Sequence, residues 1–217
     1  DGGDDSLLGA AGDDSIRGSS GRDNIQGNDG DDKLFGQGSS GDTLRGGNGN
    51  DTLDGGAGTD RVEERLDVLT ESNNYVLTDT SLTGLGTDTL ISLEEGTLIG
   101  GNGPNVIDAR GFSGFTKLVG FNGNDLIYSS VVGSNVFGGR DRDTLIGSDG
   151  RDKMFGQGGS GDELTGNAGD DRLDGGPGTD TIRQTLASGD SLVATHKDFD
   201  SPTLGQKPPE GAVVIVD

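Results

Sequence analysis

Cysteine and tryptophan are absent from this chain, proline occurs 5 times in 217 residues, aromatic residues make up 4% and hydrophobic residues only 28%. Each shortage excludes something. Without cysteine there is neither a disulfide framework nor a thiolate zinc site. So few apolar side chains cannot fill a thick two-layer core, so cohesion must have another source. No run of 18 apolar residues is available for a membrane-spanning helix, and no basic-then-apolar segment at the start resembles a cleavable signal peptide. Positive charge is short as well. There are 16 Lys and Arg against 38 Asp and Glu, a net charge of -22, which argues against nucleic acid or an anionic membrane surface as partner and favours cations; with no long apolar run, no membrane insertion is expected.

What is abundant is glycine, 44 residues, about one in five against a usual background of roughly 7%. It lacks the every-third spacing of collagen and follows a nine-residue period instead. The opening DGGDDSLL is a truncated copy, and from Gly9 the chain reads GAAGDDSIR, GSSGRDNIQ, GNDGDDKLF, GQGSSGDTLR with one extra residue, GGNGNDTLD and GGAGTDRVE. A second array runs from Gly120 through GFNGNDLIY, a degraded SSVVGSNVF, GGRDRDTLI, GSDGRDKMF, GQGGSGDELT, GNAGDDRLD and GGPGTDTIR. Sliding by 120 residues places Gly27 to Glu63 over Gly147 to Arg183 with 23 of 37 positions identical. Each nonamer is therefore one building unit.

Glycines at the first and fourth positions allow positive φ or close packing at a tight turn. An apolar residue recurs at the eighth: Leu7, Ile16, Ile25, Leu34, Leu44, Leu53 and Val62, then Ile127, Val136, Leu145, Met154, Leu164, Leu173 and Ile182. One inward residue in nine predicts a thin core, and strands of about three residues must stack in parallel, roughly 4.8 Å apart. Two nonamers, one per face, make a coil of 18 residues.

Asp at the sixth position then recurs along each edge of the stack. One edge of the first array carries Asp5, Asp23, Asp42 and Asp60, and the other Asp14, Asp32 and Asp51; the second array carries Asp125, Asp143, Asp162 and Asp180, with Asp152 and Asp171 opposite. Bare, these carboxylates repel one another. A hard cation between coils, helped by turn carbonyls, makes the stack favourable, and an all-oxygen donor set suits Ca²⁺ better than the stricter octahedron of Mg²⁺.

These residues resemble the nonapeptide G-G-x-G-x-D-x-U-x of the RTX (repeats-in-toxin, hemolysin-type calcium-binding) family, which GGNGNDTLD at Gly46 and GGAGTDRVE at Gly55 match throughout. The resemblance implies an all-β, right-handed parallel β-roll with calcium between turns, in a protein exported by a type I system from a bacterium. It further implies that the sixth position gives a side-chain oxygen and the second and fourth give carbonyls. That selects, besides the aspartates above, Ala10, Gly12, Ser19, Gly21, Asn28, Gly30, Gly47, Gly49, Gly56 and Gly58 in the first array. In the second it selects Phe121, Gly123, Ser148, Gly150, Asn167, Gly169, Gly176 and Gly178. Pairing coils gives about nine ions, five and four per array. The departures are Ser134 in place of the ligand Asp and Asp141 in place of the fourth-position Gly.

Four segments follow from this reading: a first array over 1–63, a calcium-poor connecting solenoid over 64–119, a second array over 120–183 and a cap or tail over 184–217. The connecting segment has eight glycines against seventeen in residues 1–63, and short apolar patches at Tyr75 to Leu77, Thr89 to Ser92, Thr97 to Ile99, Val106 to Asp108 and Lys117 to Val119 predict strands. Within it Gly100 to Asp108, GGNGPNVID, is an array-like copy with Asn105 at the ligand position. In the tail, Ala212 to Val216 reads as a capping strand or part of an export signal.

GQGSSG at Gly36 and GQGGSG at Gly156 match a dinucleotide-binding glycine pattern, but no helix follows and both are in phase with the repeat. His196 stands alone in a polar stretch, and Phe35 and Phe155 share the ninth position, where packing is the expected role. No set of catalytic residues is visible. The expectation is a non-enzymatic calcium-binding module, extracellular or at a bacterial cell surface, which folds on binding calcium after export and serves as folding switch and rigid spacer beside other domains of a larger protein. Two alternatives stand beside it: a segment of a calcium-dependent adhesin or surface layer, and the noncatalytic C-terminal part of a secreted protease, lipase or epimerase.

Overall fold

The fold is seen in a computed structural model, which describes residues 2–65, 74–159, 161–185, 193–196 and 213–216. Among the described residues every regular element is a strand. The strands lie in two sheets, one of ten running from Ser6–Leu8 to Val193–His196 and one of twelve running from Ser15–Arg17 to Val213–Val216. Successive repeats go to alternate sheets, so the chain winds as a β-solenoid of parallel rungs, with about nine turns of about 19 residues.

Register shows how the period is kept. Leu7 pairs with Ile25 and Ile25 with Leu44 in one sheet, while Ile16 pairs with Leu34 and Leu34 with Leu53 in the other. Within each array the eighth-position residue lies over its counterpart. Coils that contain a ten-residue copy are 19 residues long rather than the expected 18. The extra residue is absorbed in the turn, where Gln37 and Gly38 both have positive φ (68° and 60°), so Leu44 still reaches the core.

Every expected core residue from Ile25 to Val62 and from Ile127 to Ile182 is buried, while Leu7 and Ile16 in the first coil are partly buried. Alternation along each strand explains the pattern: the eighth-position side chain points in, its neighbours out. The ninth position forms outer ladders. Phe137 and Phe155 stack with ring centroids 5.2 Å apart, and the Arg17 guanidinium lies 4.9 Å from the Phe35 ring centroid.

The connecting segment forms the strands expected of it, with one difference. Glu95–Ile99 pairs in parallel with Arg61–Arg65 on one side and with Phe115–Phe121 on the other, so the ten-stranded sheet is unbroken. The twelve-stranded sheet instead passes through an antiparallel meander of Asn74–Thr78, Ser81–Thr83 and Thr87–Ile91, whose outer members pair in parallel with Val106–Gly111 and Thr52–Asp54. A three-residue strand at Ser81–Thr83 has too short an apolar signal to announce the meander. Tyr75, Leu77, Leu82, Leu90, Leu98, Ile107, Phe112 and Leu118 thicken the core here. At the far end Val213–Val216 pairs antiparallel with Thr181–Thr185. Within the tail, residues 186–192, 197–212 and 217 lie outside the described residues; of the stretch Ala212 to Val216, all but Ala212 is described and forms this terminal strand.

Candidate metal centres

The sixth-position aspartates form a continuous ladder. The backbone N–H of each donates to one carboxylate oxygen of its counterpart in the next coil: Asp5 to Asp23 at 2.9 Å, Asp23 to Asp42 at 2.8 Å and Asp42 to Asp60 at 2.7 Å. On the other edge Asp14 donates to Asp32 at 2.7 Å and Asp32 to Asp51 at 2.8 Å. The second array repeats the arrangement from Asp125 to Asp143, Asp143 to Asp162, Asp162 to Asp180 and Asp152 to Asp171, at 2.8 to 2.9 Å. This structural role of Asp is independent of metal, and the repeat pattern alone does not disclose it.

The ladder uses one oxygen of each carboxylate. The other, Oδ2, is buried with no hydrogen-bond partner in Asp23, Asp32, Asp42, Asp51, Asp60, Asp125, Asp143 and Asp162. Buried anionic oxygens without a partner are costly. Burial raises the carboxyl pKa of Asp51, Asp125 and Asp162 to about 6 and of Asp143 to about 8, and raises those of Asp42 and Asp60. In each case the hydrogen bond from the preceding coil pulls the other way without prevailing, and a neighbouring carboxylate adds to the rise; for Asp162 that carboxylate is Asp180, and Arg142 opposes it. Two buried edges of the molecule thus line up carboxyl groups whose ionisation burial opposes.

The glycines shape the surroundings of these oxygens. At the first position the need is space: a Cβ on Gly27 would lie 2.1 Å from Asp32 Oδ2 and 2.7 Å from the Gly46 carbonyl oxygen of the next coil. At most second positions the backbone is left-handed even without glycine, with φ of 88° at Ser19, 85° at Asn28, 91° at Phe121 and 66° at Asn167, whereas Ala10 and Ser148 are not left-handed and donate their N–H to Asp14 Oδ2 and Asp152 Oδ2 instead. Positive φ outside glycine is strained, so seven non-glycine second- and fourth-position residues, including Asp141 at 75°, hold a conformation imposed by the turn. Gly12, Gly21, Gly30, Gly49, Gly58, Gly123, Gly169 and Gly178 are left-handed at the fourth position, as are Gly47, Gly56 and Gly176 at the second.

At one place the convergence of second, fourth and sixth positions is directly visible. The side-chain Nε2 of Gln184 donates to the Asn167 carbonyl at 2.9 Å, the Gly169 carbonyl at 3.3 Å and Asp171 Oδ2 at 2.7 Å. Three oxygens of one repeat thus face a single point. Among the described residues no three His, Asp or Glu side chains gather to hold a metal by themselves, so backbone carbonyls are needed to complete an all-oxygen donor set.

Not all the named aspartates are alike. Asp5 and Asp14, in the first coil, are only half-buried, and Asp14 Oδ2 accepts from Ala10 N at 2.8 Å. Asp152 Oδ2 accepts from Ser148 N at 2.8 Å. Ser134, at a ligand position, is buried and its Oγ lies 2.6 Å from Thr116 Oγ1, so it is satisfied by hydroxyls. Two ladder members were missed from sequence: Asp51 N donates to Asp88 at 3.0 Å and Asp60 N to Glu94 at 2.9 Å. The first had a signal. TGLGTDTLI, from Thr83 to Ile91, is a nonamer with Thr for its leading Gly, and Leu90 pairs with Leu53.

A model of the RTX calcium-binding nonapeptide repeat matches four times, over residues 1–34, 37–63, 135–162 and 161–182, together half of the chain. The chain belongs to this family. The RTX repeat is a calcium-binding structural module, and the buried, unpartnered Oδ2 row is the feature of this chain that fits such a role. A search of curated proteins finds no match.

Proposed function

We propose that this RTX chain is a calcium-triggered folding module of a larger secreted bacterial protein, exported expanded and closing into a rigid spacer outside the cell. The observation that carries the reading is the row of eight buried Asp Oδ2 atoms without hydrogen-bond partners, four members of which, Asp51, Asp125, Asp143 and Asp162, already resist ionisation where they stand. Asp23, Asp32, Asp42, Asp51, Asp60, Asp125, Asp143 and Asp162 supply the side-chain oxygens, and second- and fourth-position residues such as Asn28, Gly30, Gly47 and Gly49 supply carbonyls. Calcium, when bound, contributes the positive charge that the two acidic edges lack.

The unfolded chain has no preformed site, so the free energy of binding appears as free energy of folding. Each independent site adds about 2.7 kcal/mol at a hundredfold excess of calcium over Kd, and extracellular calcium modules work at roughly 10⁻⁴ to 10⁻³ M. Several such sites offset both the thin core and the self-repulsion of a net charge of -22. At cytosolic calcium the same chain stays open, a state suited to export. The repeats themselves do no chemistry on a substrate; their product is a stiff, folded rod.

Titration with calcium, followed by circular dichroism and hydrodynamic radius, tests the reading. The expected result is a cooperative gain of β signal with compaction. A compact chain with full β signal in excess chelator would overturn it.

A further inference from the structure

The hydrogen bonds of Gln184 have the form of a coordination sphere. Its Nε2 faces the second-position carbonyl, the fourth-position carbonyl and the sixth-position carboxylate of a single repeat, those of Asn167, Gly169 and Asp171. An amide nitrogen carries two hydrogens and no negative charge, so it can be surrounded by oxygens that would otherwise repel one another. Gln184 is fully buried, and the first-position glycine of that repeat makes room for it: a Cβ on Gly166 would lie 1.8 Å from Gln184 Oε1.

Asn105 makes a related arrangement elsewhere in the chain, from the sixth position of its own repeat and toward the ladder oxygen of Asp125 in the next coil. Its Nδ2 donates to Gly103 O at 2.5 Å, Asp125 Oδ1 at 3.2 Å, Gly101 O at 3.4 Å and Gly120 O at 3.5 Å. Gly101 and Gly103 are the second and fourth positions of the GGNGPNVID copy, and Asn105 itself is 1% exposed.

We propose that Gln184 and Asn105 are built-in replacements for calcium: their side-chain NH₂ groups take the place of an ion in the repeats they close, so that these two coils bind no metal and mark where the row of ions is interrupted. This rests on the reading that the second-, fourth- and sixth-position oxygens of the other repeats hold calcium. It removes Asn167, Gly169 and Asp171 from the ligand set, although their repeat pattern matches the rest.

The duplicate of Gln184 shows that the amide is a specific choice. Glu64 stands 120 residues earlier at the same place in the first array, and it too reaches back 17 residues. It meets Gly47 as an acceptor, at 3.3 Å from the backbone N, because a carboxylate has no hydrogen to give. Its charge is met by Arg45, whose Nε lies 3.4 Å away. The counterpart of Arg45 in the second array is Thr165, which carries no charge. A carboxylate placed at 184 therefore lacks the arginine that meets Glu64, and a bound cation can balance it and Asp171 instead.

The isosteric Gln184→Glu and Asn105→Asp variants test this by counting calcium ions per chain, using elemental analysis of the saturated protein and calorimetric titration. Each variant should gain one ion over the wild type, and the double variant two. In the calcium-saturated wild type, the Gln184 side-chain NH₂ resonances should exchange slowly with solvent. A wild type that binds calcium while both variants keep its ion count, or a rapidly exchanging Gln184 amide, overturns the replacement proposal alone. A wild type that binds no calcium overturns the reading of the metal centres and this proposal with it.

Discussion

The backbone N–H of Asp23 donates to Oδ1 of Asp42, one coil further on, at 2.8 Å, while Oδ2 of Asp42 is buried with no hydrogen-bond partner. One carboxylate thus has two separable tasks. Its first oxygen ties successive coils together; its second is the oxygen offered to a cation.

Substitutions at Asp42 should separate the two. Asp42→Asn keeps an oxygen for the Asp23 N–H and removes the charge, so it should retain the fold at saturating calcium and bind fewer ions. Asp42→Ala also leaves the Asp23 N–H unsatisfied inside the stack, which costs about 1–3 kcal/mol more. Thermal melts at saturating calcium, alongside calorimetric ion counts, distinguish the variants. Equal stability of Asn and Ala would show that the ladder bond contributes nothing.

The first-position glycines should be irreplaceable for reasons of space. In Gly27→Ala the new methyl would lie 2.1 Å from Asp32 Oδ2 and 2.7 Å from Gly46 O, and backbone on one side cannot yield. A loss of about 1–3 kcal/mol is expected from overpacking, with a higher calcium midpoint because the methyl displaces the Asp32 carboxylate. Gly158→Ala is the control, since its nearest neighbour, Gly139 O, would be 3.6 Å away and its φ is not left-handed. Calcium-titrated melts of the two variants should differ clearly.

Much of this was legible in the sequence because a strict period carries geometric information. Leu34, Leu44 and Leu53 could be placed in the core from their phase alone, and the strands at Val106 and Lys117 from β-branched residues between turn residues. The meander at Asn74 to Ile91 was not legible, since antiparallel pairing through Ser81–Thr83 depends on tertiary contacts that three residues do not announce. Asp88 was hidden by a single change, Thr83 for Gly, in an otherwise regular nonamer. Gln184 could not be found from periodicity at all, because it lies just past the last repeat and acts through atoms 13 to 17 residues upstream.

Tyr75 offers a test of the connecting segment. Its ring is fully buried and its Oη has no hydrogen-bond partner. A buried hydroxyl without a partner destabilises, and removing it leaves the ring packing intact. Tyr75→Phe should therefore stabilise the folded chain by about 1 kcal/mol, read as a raised Tm at fixed calcium. A lowered Tm would show that the hydroxyl meets a partner in solution.

Acid should replace calcium in part. In the metal-free fold burial raises the carboxyl pKa of Asp51, Asp125 and Asp162 to about 6 and of Asp143 to about 8, against about 3.9 for Asp in an unfolded chain. A pKa raised by folding means that the folded state binds protons more tightly. The resulting stabilisation is fully present below the unfolded value and is lost as pH climbs through 6 to 8. Chain stripped of metal should accordingly gain β signal as pH falls from about 8 toward 4, while at saturating calcium the neutral-pH fold should be kept and acid should release ions by competing for the same oxygens. Circular dichroism across pH, with and without calcium, checks both halves. If the metal-free chain were equally unfolded at every pH, neutralising these carboxylates would not be sufficient to close the coils, and the ion's bridging between oxygens, rather than its charge alone, would have to account for folding.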